Sequence, residues 1–449
     1  YDALVQQRGA RPQDREEFAA TALKLGDPER AWTQLEGLLA KPSPSPFAQL
    51  LGAQYHAARR DVPRAIPLAR AAVSAEPGNA TNILTLATLL TASRSRADHA
   101  EALTLLWPLG EKDNPFQVRA LAGILNAPDA PRADRERVER VLREHPKRTP
   151  EADFLWMDAR ASLDPSQVGR LADEIVARHG HGAPPEVTLA ATWLNRQQLH
   201  ARALEIALPD LAQKHAGLFR QRYDALLGLG QTRAAYDLLM GTSVPMDPLQ
   251  LEFLRCSTAL QLKDNAAVDS HLRNMVDLAR RQPRMLRNVA EFAMRQKRRD
   301  IADMANQILS KNKKEASTAF TALLRSADLQ GETWVARDYA RKLAALRKDD
   351  DAIRLQIAYY DLLLEENIDQ AMATLEALHK AQPDDFARRV VLALAYLRKN
   401  DPTTAATLIE GRVVTWNRVT PGLRAVIVAS IGASKRNDAA ARLAARVPL

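Results

Sequence analysis

Residues 390–405 read VVLALAYLRKNDPTTA, an unbroken apolar block followed by a polar turn. From Val390 to Leu397 every side chain is apolar. That band is too broad for a surface helix with one buried stripe, and it suits a helix packed on both sides by neighbours. Lys399-Asn400-Asp401-Pro402 then supplies a polar turn. Asn tolerates left-handed backbone, Asp caps a following helix, and Pro fits that helix's first turn. Ala393 and Ala405 flank the turn twelve residues apart. The stretch is a helical hairpin.

The same hairpin recurs along the chain. Ala19 and Ala31 flank Gly26-Asp27-Pro28, and Ala53 and Ala65 flank Arg60-Asp61. Ala65 follows Ala31 at the same interval that separates Ala405 from Ala371. From Ala203, alanines continue at Ala235, Ala267, Ala302, Ala336, Ala371, Ala405 and Ala439, in steps of 32, 32, 35, 34, 35, 34 and 34. A last polar turn, Arg436-Asn437-Asp438, precedes Ala439. Prolines separate the units at Pro42-Ser43-Pro44-Ser45-Pro46, Pro77, Pro146, Pro184-Pro185, Pro283 and Pro383. Proline interrupts a helix and biases the residue before it away from α geometry. A period of about 34 residues marks a stacked array of helix pairs.

These residues resemble the tetratricopeptide family, whose unit is two antiparallel helices, called A and B here. In that family a small residue at the eighth position lets helix A approach its neighbour. A second, at the twentieth, opens helix B. Ala19, Ala53, Ala191, Ala290 and Ala393 fit the eighth position, Tyr396 the aromatic eleventh and Ala72 the small twenty-seventh. The same phase places Tyr223, Arg255, Leu324, Tyr359 and Ile427 at the eighth position, where the match fails. Between Ala102 and Ala203 the pattern blurs, and Val138 and Val168 stand as candidates for the twentieth position. The resemblance implies an all-α, right-handed superhelix of about thirteen helix pairs, with each first helix lining a concave groove. Two arrays are expected, 1–243 (departing from the pattern across 110–185) and 244–449, the second continuous with the first; Gly241–Pro248 reads as an ordinary inter-repeat loop, with a bend between sub-arrays as the alternative.

Composition agrees. The 449 residues include 18 glycines and 5% aromatics, and runs of β-branched residues are scarce. A chain this long exceeds one compact core. The single cysteine, Cys256, excludes an internal disulfide and any cysteine-based zinc site. The longest apolar runs, Leu84–Leu90 and Ala425–Ile431, fall well short of a membrane span. Membrane contact is expected only through an N-terminal anchor outside this sequence, which opens at Tyr1. High arginine use, with the place of similar arrays in secretion, pilus and export systems that the resemblance implies, points to a bacterial cell-envelope or secretion assembly in a periplasmic or membrane-tethered setting.

Motifs for catalysis are weak. Gly228-Leu229-Gly230 sits where a hairpin turn belongs and not in a phosphate loop. His179 and His181 lack a third metal ligand nearby. The carboxylates Asp349–Asp351 and Glu365-Glu366 sit at helix ends, where capping accounts for them. Positions Leu50, Gln54, Val390 and Leu394 lack the lysine and asparagine clamp of the family's chaperone-binding members. No cofactor, metal or small-molecule substrate is expected.

Charge is uneven. Residues 280–314 carry eleven basic against three acidic side chains, nearly the whole +9 excess. Arg284, Arg287, Arg295, Lys297, Arg298 and Arg299 are the candidate contacts for an acidic protein partner. Phe292 alone offers a stacking platform there, which weighs against nucleic acid. The expected function is a non-enzymatic scaffold. The alternatives left open are an enzyme built in a helical toroid, with an acid or base in a deep pocket, and nucleic-acid binding through 280–314.

Overall fold

The computed structural model describes residues 11–145, 149–241, 244–409 and 421–433. Among the described residues are 26 α-helices, one three-residue 3-10 turn and no strand. The chain divides into two compact units, residues 1–235 with 243–245, and 236–242 with 246–449.

The first unit is a run of hairpins. They are α1 (Pro12–Lys24) with α2 (Pro28–Leu39), α3 (Pro46–Ala58) with α4 (Val62–Ala75), and α5 (Ala80–Thr91) with α6 (Arg96–Gly110). Next come α7 (Gln117–Leu125) with α8 (Arg132–Arg143), α9 (Pro150–Leu163) with α10 (Val168–His179), and α11 (Pro184–Arg196) with α12 (His200–Ile206). The short α13 (Pro209–Ala212) leads to α14 (Ala216–Gly228), and the division falls within α15 (Thr232–Leu239), whose residues from Tyr236 belong to the second unit. The first helices α1, α3, α5, α7, α9, α11 and α14 each touch the next, an unbroken stack. Each inner first helix, from α3 to α11, is therefore flanked on both sides by other first helices, as its breadth of apolar surface requires.

The second unit holds α16 (Pro248–Gln261) and α17 (Asn265–Ala279), then α18 (Pro283–Arg295) and α19 (Arg299–Leu309). After them come α20 (Ala316–Gln330) with α21 (Thr333–Leu346), α22 (Asp351–Leu363) with α23 (Ile368–Ala381), and α24 (Phe386–Arg398) with α25 (Pro402–Ile409). α26 (Pro421–Ala433) packs on α24 and α25. Val390 to Ala395 of α24 are all buried, as the opening stretch requires.

One geometric device sets the repeat. Among the described residues, nine hairpin turns hold a residue with left-handed backbone: Gly26, Arg60, Gln198, Gly230, Lys263, Lys297, Gly331, Glu365 and Asn400. In each, the next residue's N–H donates back into helix A, as from Asp27 to Ala22 O at 2.8 Å and from Asp401 to Tyr396 O at 2.9 Å. This Schellman closure satisfies carbonyls that a helix end leaves open. A left-handed residue with a Cβ costs about 1 kcal/mol, against a smaller entropic cost for glycine. Lys263→Gly, at an exposed turn, is expected to stabilise the second unit by roughly 0.5 kcal/mol. Urea denaturation of the two chains checks this, and a loss of stability would refute it.

Counting from these turns corrects the phase read from alanines alone. The seam residue of helix A lies seven positions before the turn: Ala19, Ala53, Ala191, Tyr223, Cys256, Ala290, Leu324, Ala358 and Ala393. Cys256 and Ala358, both buried, therefore replace Arg255 and Tyr359 at that position. In α17 the equivalent of Ala302 is Val268, which is buried and whose N–H donates to Asp264 O; Ala267 lies only partly buried beside it. At α16 the turn has the ordinary length and Ala267 merely stands one residue before the seam position; at α22 the cause is the turn itself. The turn before α23 holds an extra residue, with Asn367 also left-handed.

The blurred stretch is fully helical from α7 to α12 apart from its turns. The hairpin before it, α5/α6, and its own α7/α8 and α9/α10 lack the left-handed residue, so the phase is lost there. One period beyond Ala65 stands His99, buried, its Nδ1 2.7 Å from Asp129 and its Nε2 2.9 Å from Ser93 O. A polar strap between successive turns thus takes the place of a small seam residue. The Asp129 and Ser93 contacts raise the imidazole pKa. Val138 is buried in α8, but Val168 opens α10 half-buried, and the buried residues of that helix are Leu171, Ala172, Ile175 and His179.

Prolines also shift role. Pro46, Pro184 and Pro283 open the following first helix and do not end the preceding one. An N-terminal helical position needs no N–H partner, so proline fits there. Pro146, Thr242, Ser243, Arg436, Asn437, Asp438 and Ala439 lie outside the described residues.

Candidate interaction surface of the second unit

The six basic candidates do not share one face. Arg284, Arg287 and Arg295 lie on α18, Lys297 and Arg298 form the turn, and Arg299 opens α19. Their electrostatic situations differ. Arg287 makes a two-pronged ion pair with Glu315, and Arg298 pairs with Asp269 while also donating to Asn265. These arginines tie one hairpin to its neighbours, and their charge is largely spent inside the chain. Arg284 has an interaction within the chain as well. Arg299 is half-buried near the Asp303 carboxylate. Arg295 and Lys297 are exposed and form no ion pair among the described residues; Arg295 lies over the Phe292 ring at 5.9 Å.

Arg295 belongs to a larger surface on the first helices. Phe253 of α16 and Phe292 of α18 meet at 5.1 Å between ring centroids, and Phe253 is 43% exposed. On the same helix α18, Met294 helps to line a cleft of about 510 Å³ together with Asp303, Arg325, Ser326, Leu329 and Arg347, among others. Its rim is apolar and cationic. Met294 is 45% and Leu329 61% exposed. Arg325 is exposed and forms no ion pair among the described residues, while Arg347 donates to Ser317 Oγ at 2.8 Å and lies 3.8 Å from Asp350. On the inner wall Ser326 donates to the Asp303 carboxylate, whose pKa burial pushes up.

Charge counting misses Arg325, because the basic run ends at Lys314 and an isolated arginine in mid-helix carries no sequence signal. The repeat phase does not single it out either, because the matching position holds an acid. Arg325 precedes the turn residue Gly331 by as many positions as Glu291 precedes Lys297, on the matching part of the next first helix.

Other candidates resolve into structure. Gly230 forms a left-handed turn, and a Cβ on Gly228 would meet the His200 ring at 2.3 Å, so that pair of glycines serves a turn and a close approach. His179 is buried and bonded to Glu186, with Asp153 at 3.6 Å, whereas His181 is exposed. No group of three or more metal-ligating side chains is gathered among the described residues. Asp350 caps α22, accepting from Ala352 and Ile353 N–H. Glu365 and Glu366 pair with Arg398 and Arg337. Leu50, Val390 and Leu394 are buried packing residues. No helix is long and apolar enough to cross a membrane among the described residues.

A second polar centre, deeper and outside the cleft, sits near the start of the second unit. His271 lies between Tyr236 Oη and Glu252 Oε2, at 2.8 Å from each. Arg255 donates to the other Glu252 oxygen at 2.6 Å and to Leu239 O, and Asn274 adds a donor at 3.1 Å. Burial would raise the Glu252 pKa, but the bonds from His271, Arg255 and Asn274 outweigh it and hold it below the ordinary value. Tyr236, Glu252 and His271 are buried, with Arg255 and Asn274 on the outer side, and the centre reads as a structural lock.

Helix pairs of this step, closed by left-handed turns and joined at small seam residues, define a tetratricopeptide-like repeat protein. No protein-family model matches the chain, and no curated protein matches it. Among solved structures it is similar to the APC/C hetero-tetramer Cut9–Hcn1, at 14% identity over 96% of this chain and 83% of that one, with a TM-score of 0.35. It is also similar to yeast Tom70, at 14% identity over 95% and 96%, TM-score 0.28. A third is Naa15/Naa10 bound to HypK, at 13% identity over 95% and 68%, TM-score 0.32. The repeat assignment rests on the turns and seams, not on these superpositions.

Proposed function

We propose that this chain is a non-enzymatic scaffold that holds partner proteins against the exposed faces of its first helices, with the basic surface of the second unit orienting an acidic partner. One observation carries the reading. Three consecutive first helices, α16, α18 and α20, present Phe253, Met294 and Leu329 to solvent beside arginines whose charge is not neutralised. Large apolar side chains exposed together beside unpaired cations mark interaction surfaces more than catalytic ones. The two arrays, 1–243 and 244–449, and a periplasmic or membrane-tethered setting belong to the same proposal, the arrays being supported by the division near residue 240.

The test is capture from native lysate on the immobilised chain, with wild type beside Arg295→Glu/Lys297→Glu. Neither side chain makes an ion pair among the described residues, so the fold is expected to survive. A protein retained by wild type and reduced roughly tenfold by the reversal supports the reading. Equal retention by both chains refutes the role of the basic surface. Retention of nucleic acid alone refutes the protein scaffold.

A further inference from the structure

We infer that the cleft between α18 and α20 is an anchor site for an acidic segment of a partner protein, one that inserts an apolar side chain and lays its carboxylates on the rim. The inference rests on the scaffold reading and specifies its partner. Three features converge on this occupant. The cleft is large enough for one or two side chains, at about 510 Å³. Its apolar walls include Met294 and Leu329, which stay substantially exposed although each could bury its surface on an inserted group. Its rim carries Arg325 and Arg347, and Arg325 forms no ion pair among the described residues.

The inner wall fixes the orientation. Asp303 already accepts from Ser326 and lies near Arg299, so an incoming carboxylate there would meet like charge. The ligand's acids therefore stay outside, on Arg325 and Arg347, and its apolar group goes in between Met294 and Leu329. A basic or purely polar segment would satisfy neither half of the site. The placement also separates this site from the Lys297–Arg299 turn, where Arg298 is engaged with Asp269.

The probe is a fluorescein-labelled ten-residue peptide of alternating Asp and Leu, titrated with the full chain at low salt and followed by anisotropy. An Asp/Ser peptide of equal charge and a Lys/Leu peptide serve as comparisons. The Asp/Leu peptide is expected to bind, the Asp/Ser peptide several-fold more weakly, and the Lys/Leu peptide not at all. Arg325→Glu is expected to weaken binding roughly tenfold, and Leu329→Ser several-fold. Both residues are exposed, so circular dichroism should be unchanged. Lys297→Glu should leave peptide binding within about twofold. No binding at about 1 mM, equal binding of the Asp/Leu and Asp/Ser peptides, or indifference to Arg325→Glu would each overturn the anchor site. If Arg325→Glu still captures the lysate partner that Arg295→Glu/Lys297→Glu loses, the scaffold stands and the cleft is wrong. If a partner is retained equally by wild type and by both variants, the basic surface and the cleft both fall, while protein capture by another surface stands.

Discussion

Glu252→Ala is expected to destabilise the second unit by about 3 kcal/mol at neutral pH, a large fraction of the stability of a single domain. The carboxylate is 6% exposed and receives His271, Arg255 and Asn274. Deleting it leaves a half-buried guanidinium without its anion, and an imidazole still bonded to Tyr236 but with an unsatisfied Nδ1. Such a loss exceeds the worth of the bonds themselves, because the remaining groups stay desolvated. The effect has a pH signature. The Glu252 carboxyl titrates below its ordinary value in the folded chain, so its contribution is present above the unfolded pKa and disappears as pH falls through the folded one. Chemical denaturation of wild type and Glu252→Gln from neutral pH into acid checks this. The two should converge in acid, and a difference that grows in acid would refute the assignment.

The second large effect separates two residues that alanine spacing treats as equivalent. Ala302 is fully buried at the seam, and Ala267 is not, because Val268 occupies the matching position. Ala302→Leu adds three carbons where helices meet closely and should cost about 3 kcal/mol. Ala267→Leu should cost under about 1 kcal/mol, since its side chain can turn toward solvent. Thermal or urea unfolding of both variants decides between the phases. Equal losses would restore the spacing read from alanines.

These two residues also show how much is legible in the sequence. The hairpins, their period and the apolar breadth of α24 can be read directly, because buried faces and turn chemistry leave composition signals at fixed distances. The one-residue slips at Cys256, Val268 and Ala358 cannot. Alanine is abundant enough here that a neighbouring alanine or the wrong partner always lies within reach. Left-handed backbone identifies the turns, but among the described residues seven of the ten that adopt it are not glycine, and nothing in Arg60 or Lys263 announces it. His99 is hidden for a related reason. It satisfies the seam by hydrogen bonds to Asp129 and Ser93, whereas the repeat pattern asks for small volume.

The basic surface is half legible. Charge counting locates the right part of the chain but cannot tell Arg287 and Arg298, bound to neighbouring hairpins, from Arg295, which faces solvent. Arg325 lies outside the run altogether. Availability of a charge depends on which partner folding brings to it, and Glu315 and Asp269 arrive from adjacent repeats.

The extra residue in the turn before α23 has a consequence for how such a chain tolerates change. Glu365 and Asn367 absorb it with two left-handed backbones, and Ala405 still follows Ala371 at the ordinary interval of the array. An insertion there is forgotten within a single turn, so each hairpin keeps its own reading frame. Length changes at these loops should accumulate in descendants of this chain without disturbing anything downstream, whereas one added residue inside a helix would rotate every later side chain of that helix by about 100°.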